Sequence, residues 1–293
     1  MTDLKIGVIG IPGKWSTEAL ADAVEARTGF RRVIDMGAVV LDLDTGALMH
    51  AGEDLCRFDA LVIKKISEVY SPHLLDRLEL LRVAQARGVR VVSRPEAILR
   101  LIDRLACTVS LRLADIPMPR TRVTEDLGEA EAAVAAYGSA VFKPLYSTKA
   151  RGMCVIEAGP EAASRIANFA AANPVMYIQE KRDLSGQDLG MVFLDGVYLC
   201  TYARVSASDT WDTTIHSGGT YAPYAPDAGL IDLARRAQAP FGLTFTTVDV
   251  ALTENGPIVF EVSAFGGYRG VKEGCGLDAA TLVAEHVIAE ITP

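Results

Sequence analysis

The stretch TTVDVALTENGPIVFEVS, residues 246–263, decides how the C-terminal part of the chain folds. Two segments rich in β-branched and aromatic residues, 246–252 and 258–262, flank the sequence Glu254-Asn255-Gly256-Pro257. Asn, Gly and Pro favour turns, so this pattern predicts an antiparallel β-hairpin. Such a hairpin presents one apolar face and one polar face.

Two carboxylates stand at corresponding points of this hairpin. Asp249 points away from the face of its two valine neighbours, and Glu261 points away from the face of Phe260 and Val262. An odd loop length places the two carboxylates opposite each other, whereas an even length places them on different faces. Like charges that share a site need a proton or a cation, and rigid carboxylate oxygens suit Mg²⁺. The alternative is an exposed acidic face.

A cationic loop lies upstream, in VFKPLYSTKARGMCVI, residues 141–156. Lys143 ends a predicted strand, and a polar segment with Lys149, Arg151 and Gly152 follows. Lysine ammonium groups and free backbone N–H groups bind polyphosphate as point charges and dipoles. The alternative is an ordinary surface turn with solvated side chains.

The first third of the chain alternates short apolar strands with helical stretches. Strands are predicted at 4–9, 60–63 and 89–92, and helices at 17–27 and 72–87. A β-α-β order of this kind predicts a small parallel α/β domain over residues 1–98.

The remaining two thirds read as α+β. Residues 99–182 form the second predicted domain. A helix predicted over 97–114 crosses its start, and strands and helices follow. Residues 183–293 form the third, with a hairpin around Asp195-Gly196, the hairpin described above and a terminal helix over 279–291. The predicted fold class is therefore α/β plus α+β.

The composition excludes several classes of protein. The 293 residues carry 29 basic and 37 acidic side chains, a net charge of −8, which argues against coating nucleic acid or an anionic membrane. Half of the residues are hydrophobic, and no apolar run approaches the roughly 20 residues of a membrane span. Five cysteines without CxxC spacing indicate reduced thiols. We expect a cytoplasmic enzyme, and the common prior for oligomeric state is a homodimer.

Residues 100–291 resemble the ATP-grasp fold, and specifically its RimK-like branch of carboxylate–amine ligases. The segments that carry the resemblance occur in the family's order: RLIDRLACTVSLRLADIPMPRT, VFKPLYSTKARGMCVI, YIQEKRDLSGQDLG, TTIHSGG and VDVALTENGPIVFEVSAFGGYRGVKEGCGLDAA. The first 98 residues resemble the α/β domain that precedes this fold. The resemblance implies two α+β grasp lobes, ATP and Mg²⁺.

The resemblance also assigns roles to individual residues. Lys143 and Arg204 are implied to be catalytic, and Asp249, Glu261 and Ser263 to bind the metal. The implied ATP site comprises Arg104, Lys143, Ser147, Thr148, Gly152, Glu180, Lys181, Arg182 and Asp188. Ser147 to Gly152 would form the loop over the phosphates, Glu180 to Arg182 would read adenine, and Asp188 would bind the ribose.

Three positions depart from the family pattern. Ser263 stands where the family has Asn, so a shorter and weaker ligand would face the second Mg²⁺. The usual Asp-Ile-Arg is Asp188-Leu189-Gly190, which removes an arginine, and Thr214 replaces an Asn. An altered acceptor site and a degraded enzyme are the two explanations, and the first is favoured because Lys143 and Arg204 persist.

Four residues are candidates for the substrate side of the cleft. Trp15, which ends GVIGIPGKW, offers a flat surface, although a plain strand-to-helix turn is an equal alternative. This segment has neither Walker A nor GxGxxG spacing. His216 precedes Ser217-Gly218-Gly219, and Tyr268 and Arg269 follow the metal strand.

The implied reaction is ATP-dependent ligation of a carboxylic acid to an amine through an acyl phosphate, with release of ADP and phosphate. The segment SAFGGYRGVKEGCGLD is most similar to family members that add glutamate during biosynthesis of one-carbon carriers such as tetrahydromethanopterin and methanofuran. The alternatives are a nucleotide-binding pathway partner without ligase turnover, and a kinase that stops at phosphorylation.

Overall fold

The computed structural model of the chain describes residues 3–148, 150–184, 186–206 and 219–292. These residues form β-sheets covered by helices, as the sequence predicts. Among them, we find no helix with the length and apolarity that crossing a membrane requires.

The N-terminal part contains the predicted parallel sheet. Its elements are β1 Ile6–Ile9, α1 Trp15–Thr28, β2 Val33–Ile34, β3 Val40–Asp42, β4 Ala47–His50, β5 Glu53–Asp54, β6 Ala60–Ile63, α2 His73–Ala86 and β7 Arg90–Val92. The main sheet has the order β2-β1-β6-β7 with parallel neighbours, and β3-β4-β5 form a small antiparallel sheet beside it.

The middle of the chain forms an antiparallel sheet with a hydrophobic core of its own. Its elements are α3 Pro95–Ile102, α4 Arg104–Leu113, β8 Thr121–Thr124, α5 Leu127–Tyr137, β9 Ser139–Lys143, β10 Cys154–Glu157, α6 Ala162–Ala172 and β11 Met176–Glu180. The strand order is β10-β9-β11-β8. Phe142 and Ile178 from the sheet pack with Phe169 from α6.

The C-terminal part is built on a larger antiparallel sheet of order β14-β13-β12-β15-β16. Its elements are β12 Gln187–Leu194, β13 Val197–Val205, β14 Thr220–Pro223, α7 Ala228–Gln238, β15 Phe245–Thr253, β16 Gly256–Ser263, α8 Tyr268–Cys275 and α9 Ala279–Ile291. Both predicted hairpins are confirmed. In the first, Asp195 and Gly196 have φ of 49° and 75°, the left-handed pair that a two-residue hairpin turn needs.

Apolar packing joins the C-terminal sheet to the N-terminal one. Ile9 of β1 and Met191 of β12 belong to one core, and Val8 and Val283 belong to another. Helix α9 packs against α1, so the end of the chain returns to its beginning. The domain boundaries after residues 98 and 182 stay predictions.

One predicted helix is wrong in a way that matters for the site. The sequence indicates a single helix over 97–114, but the chain breaks at Asp103, whose backbone is extended (φ −98°, ψ 127°). The Asp103 carboxylate accepts from the Leu105 N–H at 2.6 Å and thereby caps a new helix, α4. The break places Arg104 at the first position of α4.

Candidate functional site

The hairpin of β15 and β16 holds Asp249 directly opposite Glu261. The resemblance to the family implies this opposition, and an odd loop length is its expected cause. That cause is wrong, because Thr253 pairs with Gly256 and leaves an even turn of two residues. A regular hairpin with this turn would direct the two carboxylates to opposite faces.

A β-bulge at Phe260 adds one residue to β16 and thereby brings Glu261 opposite Asp249. Val250 pairs with Val259, whereas the next pair is Asp249 with Glu261, so Phe260 has no partner. The bulge also turns Phe260 out of the apolar face where the sequence analysis placed it. Val259 is fully buried, whereas Phe260 is half-buried on the polar side of the hairpin.

Arg204 joins the first of these carboxylates to a third. Its Nε donates to both oxygens of Asp188, at 3.0 and 3.1 Å, and its Nη2 approaches Asp249 Oδ1 at 3.0 Å. Burial opposes the charge of the guanidinium, but Asp249 and Asp188 hold the pKa of Arg204 well above its ordinary value. The strand pairing explains the contact, because Asp188 lies opposite Arg204 and Gly190 lies opposite Asp249.

Lys143 lies at the end of β9, facing the same cleft. Its Nζ donates to Gln179 Oε1 at 2.5 Å and lies 5.2 Å from the centre of the Phe260 ring. Burial, with a smaller contribution from Arg104, lowers the pKa of Lys143 to about 7. A polyphosphate would restore a fully charged ammonium, because an anion favours the protonated form.

Arg104 connects α4 to β16 and to the loop after β9. Its Nη1 donates to Glu261 Oε2 at 3.1 Å, and its Nε reaches the carbonyl oxygen of Pro144 at 3.4 Å. The Arg104 backbone N–H donates to the Leu145 carbonyl oxygen at 3.1 Å. The same residue therefore fixes the position of the loop and compensates the charge of Glu261.

The electrostatics at Asp249 fit a bound cation. Burial raises the pKa of Asp249 to about 7; Arg204 opposes the shift, and Glu261 and Asp188 add to it. A divalent cation favours the ionised form of a carboxylate, as Arg204 does here. Hard oxygen ligands at neighbouring strand positions suit Mg²⁺, and Ser263 adds a hydroxyl two residues beyond Glu261.

Two cavities meet at Asp249 and Glu261. The smaller, about 160 Å³, runs beneath the end of β11 and is lined by the predicted ATP residues Arg104, Lys143, Glu180, Lys181, Arg182 and Asp188. The larger, about 450 Å³, lies on the other side and is lined by Arg204, Ser147, Thr148, Ser263 and Arg269, with Lys65, Tyr70, Tyr221 and Phe265. Arg104, Asp249 and Glu261 line both.

The other predicted residues have different positions. Gly152 has a φ of 71°, and a Cβ there would lie 3.1 Å from Pro144, so the loop requires glycine. Trp15 is 43% exposed and lies 6.0 Å from the Arg269 guanidinium. Tyr268 is buried in the core against Phe245. His216 and Thr214 lie outside the described residues.

Comparison with known proteins agrees with this geometry. The RimK-like ATP-grasp domain family matches residues 102–287. The chain belongs to the RimK-like ATP-grasp family. It is therefore an ATP-dependent ligase that forms an amide bond, and ATP and Mg²⁺ are the cofactors typical of this fold.

Individual relatives cover the chain almost from end to end. It is 23% identical to the tetrahydromethanopterin:alpha-L-glutamate ligase of Methanosarcina acetivorans, over 97% of this chain and 98% of that protein. It is 26% identical to a probable alpha-L-glutamate ligase of Nitrosococcus oceani, over 97% and 95%. Among solved structures, the ATP-grasp ligase PsnB with a precursor variant, Mg and ADP shares the fold, with a TM-score of 0.77, 21% identity and full coverage of both chains.

The structure explains why this family member has glycine at position 190. Tyr202 pairs with Gly190 across β12 and β13, and a Cβ on Gly190 would lie 2.3 Å from the Tyr202 ring. Tyr202 also packs against α8: a Cβ on Gly270 would lie 2.5 Å from the Tyr202 ring, and a Cβ on Gly274 would lie 2.5 Å from the Tyr202 Cβ. The arginine of the family pattern is therefore replaced by a close packing of β12, β13 and α8.

Sequence reasoning missed several residues of the cleft. Gln179 precedes the predicted adenine segment and orients Lys143, and its Nε2 donates to Thr121 Oγ1 at 3.1 Å. Lys65 and Tyr70 follow β6 and gave no motif. The alternation of β11 marks Gln179 as inward-facing, but no local pattern marks the other two.

Proposed function

We propose that the protein joins the amino group of an amino acid, with L-glutamate as the first choice, to a carboxylate of a small acid of the one-carbon carrier type. This proposal rests on the position of Asp249 and Glu261 at the junction of the two cavities. A nucleotide in one cavity and an acid in the other would bring phosphate and carboxylate together there. The names of the relatives support glutamate as the amine.

The smaller cavity is the proposed nucleotide site. Lys143 and Arg104 would bind phosphate oxygens, because both are basic side chains that line this cavity. Glu180 to Arg182 would contact adenine at the end of β11. The Glu180 carboxylate is already held by Arg120 at 2.9 Å and Arg182 at 3.4 Å. The backbone N–H groups of Glu180 and Lys181 donate to the carbonyl oxygens of Arg120 and Ser139, so backbone carbonyl groups would read the base.

Asp249, Glu261 and Ser263 would hold Mg²⁺. Bound there, the ion neutralises charge on the phosphoryl group during transfer. Asp188, assigned by resemblance to the ribose, has its carboxylate engaged by Arg204. We therefore propose that it also orients Arg204.

In the reaction, the terminal phosphoryl group of ATP passes to the acid, and ADP leaves. The amine then attacks the acyl carbon, loses a proton and displaces phosphate. Arg204 faces the cavity where this charge develops, and it is already fixed by two carboxylates before substrate binds, so little reorganisation is required. Ser147 and Thr148 would cover the phosphates and exclude water.

The larger cavity would bind the acid and the amine. Arg269 lines this cavity, and its guanidinium lies 6.0 Å from the centre of the Trp15 ring, so Trp15 would act on the substrate side through Arg269. His216 stays a candidate from the sequence alone. Tyr268, in the core, would act through the position of its neighbour Arg269.

The test is ADP release from Mg·ATP with L-glutamate and a panel of carboxylic acids that includes reduced pterin carriers with carboxylate tails. Each product mass would be measured. A product heavier by one glutamyl residue, formed with stoichiometric ADP, is the expected result. Tight nucleotide binding without ADP release across the panel would contradict ligation and favour a nucleotide-binding partner.

A further inference from the structure

A buried lysine lies at the end of β6, outside both cavities. Lys64 is only 6% exposed, and its backbone N–H donates to the Ile9 carbonyl oxygen at 2.8 Å, which fixes the strand end. Its Nζ donates to the carbonyl oxygen of Gly266 at 2.8 Å and lies 4.1 Å from the centre of the Tyr268 ring. The adjoining cavity is about 20 Å³, which holds a water molecule at most.

The carbonyl that Lys64 binds belongs to a segment whose other anchoring is the apolar packing of Ala264 and Phe265. Residues 264–267 read Ala-Phe-Gly-Gly and connect β16 to α8. None of these side chains carries a polar group. Gly266 packs so closely that a Cβ would lie 2.7 Å from Thr247 Oγ1, so a residue with its own anchoring side chain does not fit there.

This segment positions two walls of the larger cavity. It begins after Ser263 of the proposed metal site, and Phe265 within it lines the cavity. Helix α8 begins immediately after it and carries Arg269, which also lines the cavity. A shift of the Gly266 carbonyl would therefore move both side chains relative to Asp249.

Burying a lysine in this space is energetically unfavourable. Burial, with a smaller effect of Lys65, lowers the pKa of Lys64 to about 7, so burying the charged form is unfavourable. Methionine has a similar length and would fill the volume without that cost. The contribution that a lysine makes here and a methionine does not is the hydrogen bond to the Gly266 carbonyl oxygen.

We propose that Lys64 is a positioning residue: by binding the Gly266 carbonyl it fixes the segment 264–267, and with it the placement of Phe265 and Arg269 in the substrate cavity. The inference rests on the proposed function for the meaning of that cavity. Lys64 acts from the N-terminal sheet, so it ties that sheet to the substrate wall of the C-terminal sheet.

The first experiment compares Lys64→Met with Lys5→Met, the same change at an exposed lysine before β1. Hydrogen exchange of amides 264–272 would be roughly five- to tenfold faster in Lys64→Met, the range for one lost hydrogen bond, and unchanged in Lys5→Met. The melting temperature of Lys64→Met at pH 7 would be equal or higher. Unchanged exchange in this segment, or faster exchange throughout the core with a lower melting temperature, would overturn the proposal.

The second experiment uses turnover with L-glutamate and an acid on which the wild type acts. Lys64→Met would raise the KM for these substrates roughly tenfold and leave the Kd of Mg·ADP unchanged, since none of residues 264–267 lines the nucleotide cavity. Equal losses of nucleotide and substrate binding would contradict positioning. If the wild type ligates no acid, the proposed function fails, and the exchange comparison still decides the role of Lys64.

Discussion

Arg204 lies 3.0 Å from Asp249, a carboxylate of the proposed metal site, and is held at the same time by Asp188. The ion pair links β13, which carries Arg204, to β15, which carries Asp249. Neither side chain needs to move far when a cation and a phosphate arrive, because their positions are fixed by neighbours in one sheet.

Removing either opposed carboxylate would abolish Mg²⁺-dependent catalysis. For Asp249→Asn and Glu261→Gln we expect kcat for ADP formation to fall by about 100-fold or more, because charge on the transferring group loses its counterion. The matched control is Glu254→Gln, in the exposed turn of the same hairpin. Activity within a factor of two of the wild type in both site variants would remove the metal assignment.

The bulge residue is expected to act on nucleotide rather than on metal. Phe260→Ala would remove the ring beside Lys143 and raise the Kd of ATP roughly tenfold, the effect of about 1.4 kcal/mol of lost contact. Isothermal titration with and without Mg²⁺ would measure it. The Mg²⁺ concentration for half-maximal activity should stay constant; a large rise would mean that Phe260 chiefly maintains the register of Glu261.

Ser263 should limit the affinity for Mg²⁺. We expect Ser263→Asn to lower the half-saturating Mg²⁺ concentration roughly tenfold, because an amide oxygen reaches further and ligates more strongly than a hydroxyl. The comparison variant is Ser263→Ala, which should raise the half-saturating Mg²⁺ concentration. Identical Mg²⁺ titrations for all three proteins would show that position 263 is not a ligand.

Gly190 should be intolerant of even one methyl group. Gly190→Ala places a Cβ 2.3 Å from the Tyr202 ring and should lower the free energy of unfolding by about 1–3 kcal/mol. Gly229→Ala in α7 is the control: its Cβ would meet Asp227 Oδ1 at an ordinary 3.4 Å, and stability should hold or rise slightly. Denaturant titration measures both, and a fully stable Gly190→Ala would show that Tyr202 can move aside.

The buried Lys64 should make stability depend on pH. Its pKa is about 7 when folded, against 10.5 in the exposed side chain, so the unfolded chain binds more protons between these values. The cost of burying the charge is full below pH 7 and declines by about 1.4 kcal/mol per pH unit above it. The advantage of Lys64→Met over the wild type in unfolding free energy should therefore shrink from pH 6.5 to pH 8.5. A constant difference would mean that Lys64 keeps an ordinary pKa.

Local sequence patterns were sufficient for most of the framework. Short apolar runs predicted β1, β6 and β9, and the Asp195-Gly196 turn predicted the first hairpin, because short-range preferences and tertiary packing agree there. Helices α7 and α8 were missed. Helix α8 contains two glycines that favour loops in isolation, and it forms because Tyr202 packs against them.

For the candidate site too, local motifs predicted some features, whereas others depend on tertiary contacts. The family could be identified from ordered motifs alone, and the same motifs predict Asp249, Glu261, Lys143 and Arg204 as site residues without any contact being known. Their contacts follow from the tertiary structure: the bulge that sets Glu261 opposite Asp249, the helix break that places Arg104, and the hydrogen bond from Lys64 to the Gly266 carbonyl oxygen across 202 residues of chain. Such contacts depend on register and burial, which a local pattern does not encode.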